Sequence, residues 1–404
     1  MGDWLRDVVY SLFFIFSKND TFMLIPLLFT LLFSASFVFG EDYEDSINRI
    51  VANVRPKANL SDNGPASYNL VERMKFFSVP GVSIALSHGG KLAWARTFGV
   101  KDKDNLYLCD TNTLFQAASI SKPISTTILL NLVEREFLDL DKPVNFYLKD
   151  WRVPSSVLTE TSPVTLRHLA SHSAGMTVHG FPGYEFGQPL PTIPQILNGL
   201  TPANTRPVFV VYQPGEKFQY SGGGFCVIQL AITETANLDF ESLAKKYVFQ
   251  PASMSRSTFQ QPLSEVFLGN VAAGHSKDGT KIKGGWHIYP ELAAAGLWTT
   301  PSDLLKWATS LSNAWQGNQS AFLSCSVAKE MLTAQAGGCG LGIFFRGKGD
   351  SFYFYHGGAN AGYRSFLLFY PQTGNGIAIM CNGDGADELQ SEIVSAVIAE
   401  YGWK

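Results

Sequence analysis

Apolar and polar residues alternate in two blocks near the ends of the chain, and this period of two predicts β-strands. In the first block, residues 82–86 and 91–98 alternate on either side of His88-Gly89-Gly90, a pattern typical of a β-hairpin. The second block contains four strand-like stretches separated by tight turns: 341–345, 352–356, 363–370 and 376–381. Strands at both ends of the chain favour one antiparallel sheet assembled from distant segments.

Helical periodicity precedes the first block and follows the second. Residues 68–74 carry apolar residues at helical spacing, and residues 386–401 repeat them at Leu389, Ile393 and Val397. Between the blocks, residues 140–270 are rich in proline, turns and short helical patterns without alternation. We therefore expect an α/β (α+β) fold over residues 41–404. Its antiparallel sheet would be flanked by N- and C-terminal helices, with an all-helical lobe inserted at about 140–270.

The N-terminal 40 residues have the composition of a targeting segment. Residues 22–40 are almost entirely apolar, and Glu41-Asp42 follow abruptly. Such a stretch is a secretory signal peptide, cut here after Gly40, or an uncleaved membrane anchor formed by residues 22–39. We favour cleavage and expect the remainder of the chain to act outside the cytoplasm, either secreted or periplasmic.

The amino-acid composition narrows the classes of molecule that this protein is expected to bind. The 404 residues are 46% hydrophobic and 16% charged, with a formal net charge of −3. This balance gives no electrostatic bias toward nucleic acid, and contact with a membrane is expected only through the N-terminal segment. Five scattered cysteines are too few for a disulfide framework. Cys325 and Cys339 are close enough in sequence to pair, whereas Cys226 and Cys381 lie in apolar runs and are expected to be buried thiols.

Ser119 and Lys122 are the first candidates for chemistry. They form a Ser-x-x-Lys pattern directly before an apolar helical stretch, so Ser119 is expected where a loop enters a buried helix. Backbone N–H groups of a first helical turn favour an alkoxide or oxyanion there. Lys122, one turn further, can share a face with Ser119 and serve as its base if its amine is uncharged. Pro123 helps to fix where the helix begins.

The spacing alone does not single out Ser119, because two other pairs share it. Ser242 with Lys245 and Ser326 with Lys329 also fit, but both lie in polar, helix-like stretches where exposed side chains are expected. Ser83 follows Gly81 in a pattern that approaches a nucleophile elbow. The final glycine and the following helix are missing, so Ser83 is expected to be a packing residue.

Histidines and a tyrosine complete the candidates. His168 and His172 have the i, i+4 spacing of metal ligands, but no third ligand type accompanies them. Helix capping and core hydrogen bonding are therefore favoured, and neither a metal nor a cofactor is predicted. Tyr220 stands beside the glycine run 222–224, on backbone that other groups can approach closely.

Three short motifs in this order resemble those of the serine β-lactamase and penicillin-binding-protein hydrolases. The resemblance extends from about residue 79 to 403. It is strongest to the class C β-lactamase-related branch, which includes esterases and D-amino-acid peptidases. The motifs here are Ser119-Ile120-Ser121-Lys122, Tyr220-Ser221-Gly222 and His356-Gly357-Gly358.

The resemblance implies roles for these residues. Ser119 would be the nucleophile, Lys122 the general base, and Tyr220 the partner that relays the proton and activates the deacylating water. The backbone N–H groups of Ser119 and Ala359 would form the oxyanion hole. The substrate would be a small-molecule or peptide-like amide or ester, without metal or cofactor. The residues expected to contact it are Ser221, Gly222, His356, Gly357 and Gly358.

Two departures from the family pattern affect the choice of substrate. Gly222 stands where class C β-lactamases have an asparagine that holds the lysine and the substrate amide. His356 replaces a lysine whose fixed charge helps to bind the substrate carboxylate, and an imidazole is mostly neutral at pH 7. Both changes favour esterase, D-amino-acid peptidase or amidase chemistry. A true β-lactamase or D,D-carboxypeptidase is the alternative within enzymes, and a non-catalytic penicillin-binding-like protein is the alternative outside them.

Overall fold

A seven-stranded antiparallel sheet forms the centre of the molecule. The computed structural model describes residues 43–55, 67–318, 322–335 and 338–403. From Asp45 onward, these residues belong to one compact unit. The strands of the large sheet are β1 (Gly81–His88), β2 (Lys91–Asp102), β3 (Tyr107–Leu108), β6 (Phe344–Arg346), β7 (Tyr353–Asn360), β8 (Tyr363–Tyr370) and β9 (Asn375–Cys381). Their order across the sheet is β3-β2-β1-β9-β8-β7-β6. A separate two-stranded sheet pairs β4 (Phe115–Gln116) with β5 (Trp298–Thr299).

Strand β1 joins the two ends of the chain. It pairs on one side with β2 and on the other with β9, where Val82 faces Cys381 and Ser87 faces Gly376. Seven of its eight residues are buried, including Ser83, which is 2% exposed. The expected fold class and the β1–β2 hairpin are thereby confirmed, and Ser83 is a packing residue as predicted.

Thirteen helices in the described ranges surround the sheets. They are α1 (Glu44–Ala52), α2 (Leu70–Phe76), α3 (Ser121–Glu134), α4 (Val157–Thr161), α5 (Leu166–Ala170), α6 (Ile193–Asn198), α7 (Gly222–Ala236), α8 (Phe240–Ala244), α9 (Glu265–Leu268), α10 (Leu292–Ala295), α11 (Pro301–Trp315), α12 (Cys325–Met331) and α13 (Ala386–Tyr401). Helices α1 and α2 lie against α13. Arg73 of α2 forms a buried ion pair with Glu392, at N–O distances of 2.5 and 2.8 Å.

Residues 140–270 carry helices α4 to α9 and no strand of either sheet. Helix α3 and helix α7, which belongs to this region, both run through the core. Every residue of α3 from Ser121 to Leu132 is buried, as are the first eleven residues of α7. Because these stretches are enclosed on all sides, they need no polar face. Polar side chains of α3 such as Ser125 and Asn131 bond to backbone carbonyl groups instead.

All five cysteines are unpaired. The Cys325 thiol contacts Trp315 O, whereas the Cys339 thiol contacts Ser171 O, so the pairing considered for them is wrong. Cys226 and Cys381 are fully buried thiols, as predicted.

The signal or anchor segment, residues 1–40, lies outside the described residues. Within the described ranges, none of the helices combines the length and the apolar character that a membrane span requires.

Candidate active site

Ser119 lies in a 3₁₀ turn, Ala118–Ile120, that leads directly into α3. The serine therefore precedes the α-helix by two residues instead of opening it. Ala118 has φ of 50°, a left-handed conformation that costs a residue with a Cβ roughly 1–2 kcal/mol. Ser121 fixes this turn, because its hydroxyl donates to Ala118 O at 2.5 Å and accepts from Leu297 N at 3.0 Å.

Lys122 points from the first turn of α3 toward Ser119. Its amine lies 3.0 Å from Ser119 Oγ and donates to Ala294 O at 2.8 Å. The side chain is 2% exposed. The rings of Tyr220 and Phe225 enclose the amine, with centroids 4.9 and 5.7 Å from Nζ. Two oxygen atoms, Ala294 O and Ser119 Oγ, thus position the buried amine beside a serine that is itself only half-buried.

Helix α10 and the residues just after it support the turn that carries Ser119. Ala117 N donates to Leu297 O at 2.8 Å, and Ser125 Oγ donates to Ala293 O at 3.2 Å. The carbonyl of Ala294, which accepts from Lys122, belongs to the same short helix. Backbone carbonyl groups of residues 293–297 therefore position both the Ser119 turn and the lysine.

Tyr220 is positioned by the N-terminus of α7 and by two histidines. Its ring stacks on His172, with centroids 4.3 Å apart and planes at 29°. The His179 ring lies 4.7 Å away. His172 Nδ1 accepts a hydrogen bond from Ser221 N at 3.2 Å. Burial, reinforced by the charge of Lys122, lowers the pKa of His172 well below its usual value, so the imidazole is neutral.

Sequence reasoning missed the contact between His172 and Tyr220. The i, i+4 spacing of His168 and His172 is that of metal ligands, but helix capping and core hydrogen bonding are the roles expected of them. His168 does cap: Thr165 N donates to its Nδ1 at 3.3 Å. His172 instead leaves the helix and lies under the tyrosine. These two rings are 48 positions apart in sequence, and no local pattern connects them.

Ser221 caps α7. Its hydroxyl accepts from Gly224 N at 2.9 Å and donates to Thr177 O at 2.7 Å. The residue is 3% exposed. The structure thus commits this side chain to the start of the helix, and substrate contact by its hydroxyl stays a prediction.

The third motif lies on β7, directly beside the turn that carries Ser119. A Cβ on Gly358 would stand 2.2 Å from Ala117 O and 3.1 Å from Ala118 Cβ. Ser365 of β8 donates to the same carbonyl at 2.6 Å. Strand β6 pairs with β7 only as far as Tyr355, so the segment 356–360 keeps one edge free of a strand. Gly357 and Ala359 are exposed, on the strand that lies beside Ser119.

His356 is enclosed and carries no charge at neutral pH. It is 2% exposed, and its Nδ1 donates to Gly357 O at 2.6 Å. Burial, together with the nearby Lys122 charge, lowers the pKa of His356 to about 3. A side chain this enclosed presents almost no surface to a substrate, and it supplies no fixed positive charge for a carboxylate.

The other Ser-x-x-Lys pairs behave as expected. Ser242, Lys245, Ser326 and Lys329 are all exposed. Among the described residues there is no group of three or more His, Cys, Asp or Glu side chains that could hold a metal ion.

The chain matches the model of a known protein family. The family model Beta-lactamase matches residues 69–399, so the chain belongs to the beta-lactamase family, within the serine β-lactamase and penicillin-binding-protein-like superfamily. This confirms the resemblance drawn from the three motifs.

Two curated proteins are similar to this chain, and one of them is named a hydrolase. Protein flp of Staphylococcus aureus (strain MW2) is 22% identical over 339 residues, covering 79% of this chain and 62% of flp. The unguisins hydrolase ungD of Aspergillus violaceofuscus (strain CBS 115571) is 23% identical over 271 residues, covering 62% of this chain and 45% of ungD. The chain thus spans less than two thirds of the length of either curated relative.

A solved structure shows the same fold. The D-alanine carboxypeptidase AmpC from Burkholderia cenocepacia superimposes with a TM-score of 0.65 at 19% identity, covering 82% of this chain and 96% of that chain. At this identity the likeness establishes the fold and leaves the reaction to be argued from the site.

Proposed function

We propose that the chain is a serine hydrolase that cleaves an amide or ester bond through an acyl-enzyme on Ser119. The observation that carries the proposal is the buried Lys122 amine 3.0 Å from the Ser119 hydroxyl. A base within hydrogen-bond reach of a hydroxyl can take its proton as the oxygen attacks a carbonyl carbon, which is what nucleophilic catalysis requires.

In the proposed reaction, Lys122, with its amine uncharged, accepts the hydroxyl proton while Ser119 Oγ bonds to the substrate carbonyl carbon. The resulting oxyanion accepts hydrogen bonds from the backbone N–H groups of Ser119 and Ala359. The bond to the leaving group then breaks as Tyr220 gives its proton to the departing oxygen or nitrogen and takes the proton held by Lys122. In deacylation, water passes a proton through Tyr220 to Lys122 as its oxygen bonds to the acyl carbon. The bond from that carbon to Ser119 Oγ then breaks, Oγ takes the proton back from Lys122, and the acid leaves.

The electrostatics of the site favour esters, D-amino-acid peptides or other amides over β-lactams. The neutral, enclosed His356 offers no fixed charge for a substrate carboxylate, and Gly222 offers no side-chain amide. A true β-lactamase or D,D-carboxypeptidase remains the second candidate, supported by the family and by the name of the Burkholderia relative. The apolar segment 22–39 supports an extracytoplasmic location.

The test is labelling of folded protein by an active-site-directed fluorophosphonate. We expect the wild type to be labelled at Ser119, Ser119→Ala not to be labelled, and Lys122→Met to react at least about 100-fold more slowly, because a positioned base contributes this much. Ser326→Ala, at an exposed serine of the same motif, is the matched control and should label normally. An unlabelled wild type would favour the non-catalytic binding protein.

A substrate panel then separates the enzymatic candidates. It contains p-nitrophenyl esters, D-alanyl amides and nitrocefin, each run on wild type and Ser119→Ala. We expect turnover of esters or D-alanyl amides that depends on Ser119. Nitrocefin turnover that exceeds ester turnover would instead identify a β-lactamase.

A further inference from the structure

The N-terminal turn of α7, two residues after Tyr220, is walled by Phe181. A Cβ built on Gly222 would lie 2.9 Å from Phe181 Cε2 and 3.1 Å from His179 O. Contacts under 3.0 Å are essentially absent between real Cβ atoms and their neighbours, so the phenyl ring occupies the space that a side chain at position 222 would need.

The backbone on both sides of Phe181 is anchored. His179 O accepts a hydrogen bond from Gly222 N at 3.1 Å. Pro182 O lies 2.8 Å from His287 Nδ1 and accepts from Tyr289 OH at 3.3 Å. The ring itself is half-buried and packs against the core. Phe181 is therefore held in place, so a side chain at position 222 could not displace it without cost.

The start of α7 adjoins Tyr220 and the Lys122 amine. His179, two residues before Phe181, has its ring 4.7 Å from the Tyr220 ring, and the Tyr220 ring lies 4.9 Å from Lys122 Nζ. The Gly358 backbone of β7 lies against Ala117 and Ala118, which precede Ser119. Phe181 therefore belongs to the part of the molecule beside Tyr220, and this part is aromatic.

We propose that Phe181 determines which acyl groups the site accepts. Its ring replaces any side chain at position 222 and offers an apolar edge to the acyl group, so the site takes an uncharged acyl group with an apolar or aromatic substituent. This inference rests on the proposed function and names the residue that selects the substrate of that same site.

The first experiment compares acyl groups on one leaving group. The ratio of kcat/KM for p-nitrophenyl phenylacetate to that for p-nitrophenyl acetate is measured on wild type, Phe181→Ala and Phe186→Ala. Phe186, 68% exposed on the same segment, is the matched control. We expect the ratio to fall about tenfold in Phe181→Ala, the discrimination that an apolar contact provides, and to stay at the wild-type value in Phe186→Ala. An unchanged ratio in Phe181→Ala would overturn the proposal.

The second experiment asks whether Phe181 and position 222 compete for one space. Gly222→Asn should unfold at a lower temperature than wild type, because its Cβ collides with the ring. Phe181→Ala combined with Gly222→Asn should recover most of that loss, so the two changes should be strongly non-additive. If Gly222→Asn alone has the wild-type Tm and the wild-type acyl ratio, the ring does not fill this space and the proposal is wrong.

Fluorophosphonate labelling of Ser119, run on the same preparations, distinguishes failure of the proposed function from failure of the role given to Phe181. A wild type that is not labelled refutes the proposed function. A wild type that is labelled, with an acyl ratio that ignores Phe181, refutes only the role given to this residue.

Discussion

At the residue scale, the position of Tyr220 depends on the neutral imidazole beneath it. His172 stacks on the tyrosine and accepts a hydrogen bond from Ser221 N, so it fixes both the ring and the backbone that follows it. A charged imidazole here would place a positive charge in a buried position close to the Lys122 amine, which is unfavourable. Burial keeps the pKa of His172 low and avoids this.

We expect His172→Ala to lower kcat on the preferred ester by about 10- to 100-fold with a smaller change in KM, because a misplaced Tyr220 transfers protons poorly. His172→Phe keeps the stacking surface but loses the acceptor, and should retain more activity than the alanine variant. Steady-state kinetics on both variants measures this. His168→Ala, at a capping histidine one turn earlier, is the control; equal losses in kcat at both positions would contradict a specific link to Tyr220.

Some site residues could be predicted from the sequence and others could not. Ser119 and Lys122 stand out because a small-residue stretch and a buried helix surround their motif. Phe181 carries no such signal, because its importance comes from Gly222, 41 positions away, and from a loop held by Tyr289 and His287. Side chains that act across a fold leave no periodic trace in the chain.

At the scale of elements, β7 can pack against the turn that carries Ser119 only because position 358 lacks a Cβ. Gly358→Ala would place a methyl group 2.2 Å from Ala117 O and 2.3 Å from Ser365 Oγ. We expect a loss of about 1–3 kcal/mol in the free energy of unfolding, the usual cost of overpacking. Gly357→Ala, whose Cβ would meet nothing closer than 3.8 Å, should change it by less than about 0.5 kcal/mol. Urea denaturation of the two variants decides the matter, and equal stabilities would contradict the close packing.

The ion pair between α2 and α13 allows a second test at this scale. Arg73 and Glu392 have side chains 9% and 4% exposed. Arg73→Met should cost roughly 3–5 kcal/mol, because it leaves a buried carboxylate without its partner, and adding Glu392→Met should recover much of this. Arg49→Met breaks a more exposed pair with Glu400 and should cost clearly less than Arg73→Met. Denaturant midpoints provide the comparison; a double variant as unstable as Arg73→Met would argue against the pair.

Secondary structure was predictable where the pattern was long and bounded by turns. Strand β8 and helix α13 have the bounds that the sequence indicated, 363–370 and 386–401. Strand β6 does not: it begins at Phe344, not at 341. Leu341 and Ile343 are buried in a loop whose backbone bonds to Met331 and Gly340, so their apolar character imitates a strand. Strands β4 and β5, two residues each, are too short to show alternation.

At the scale of the whole molecule, a buried carboxyl group couples stability to pH. Glu291 is fully buried, and burial raises its pKa to about 8 from the ordinary 4.5. Between these values the folded protein holds a proton that the unfolded chain releases, so this residue lowers stability progressively as pH rises from about 4.5 to about 8. His172 and His356, with lowered pKa values, act in the opposite sense and reduce stability as pH falls below 6.5.

We therefore expect the difference in Tm between Glu291→Gln and wild type to grow in favour of the variant as pH rises from 5 to 8. The glutamine cannot ionise, whereas the glutamate ionises in the unfolded chain and must take up a proton when the protein folds. Calorimetry at several pH values gives this difference. A difference that stays constant with pH would show that Glu291 does not titrate differently in the folded and unfolded states.

The pairing of β1 with β9 also sets the time at which the protein can first work. During synthesis, the ribosome delivers β1 and the Ser119 turn long before β7, β8 and β9, so a nascent chain carries its nucleophile without the strand that lies beside it. Until those last strands emerge, one edge of β1 stays open to misassociation. Under the proposed function, Ser119 would gain the Ala359 N–H of its oxyanion hole only when the sheet closes, so a nascent chain would not yet be a hydrolase.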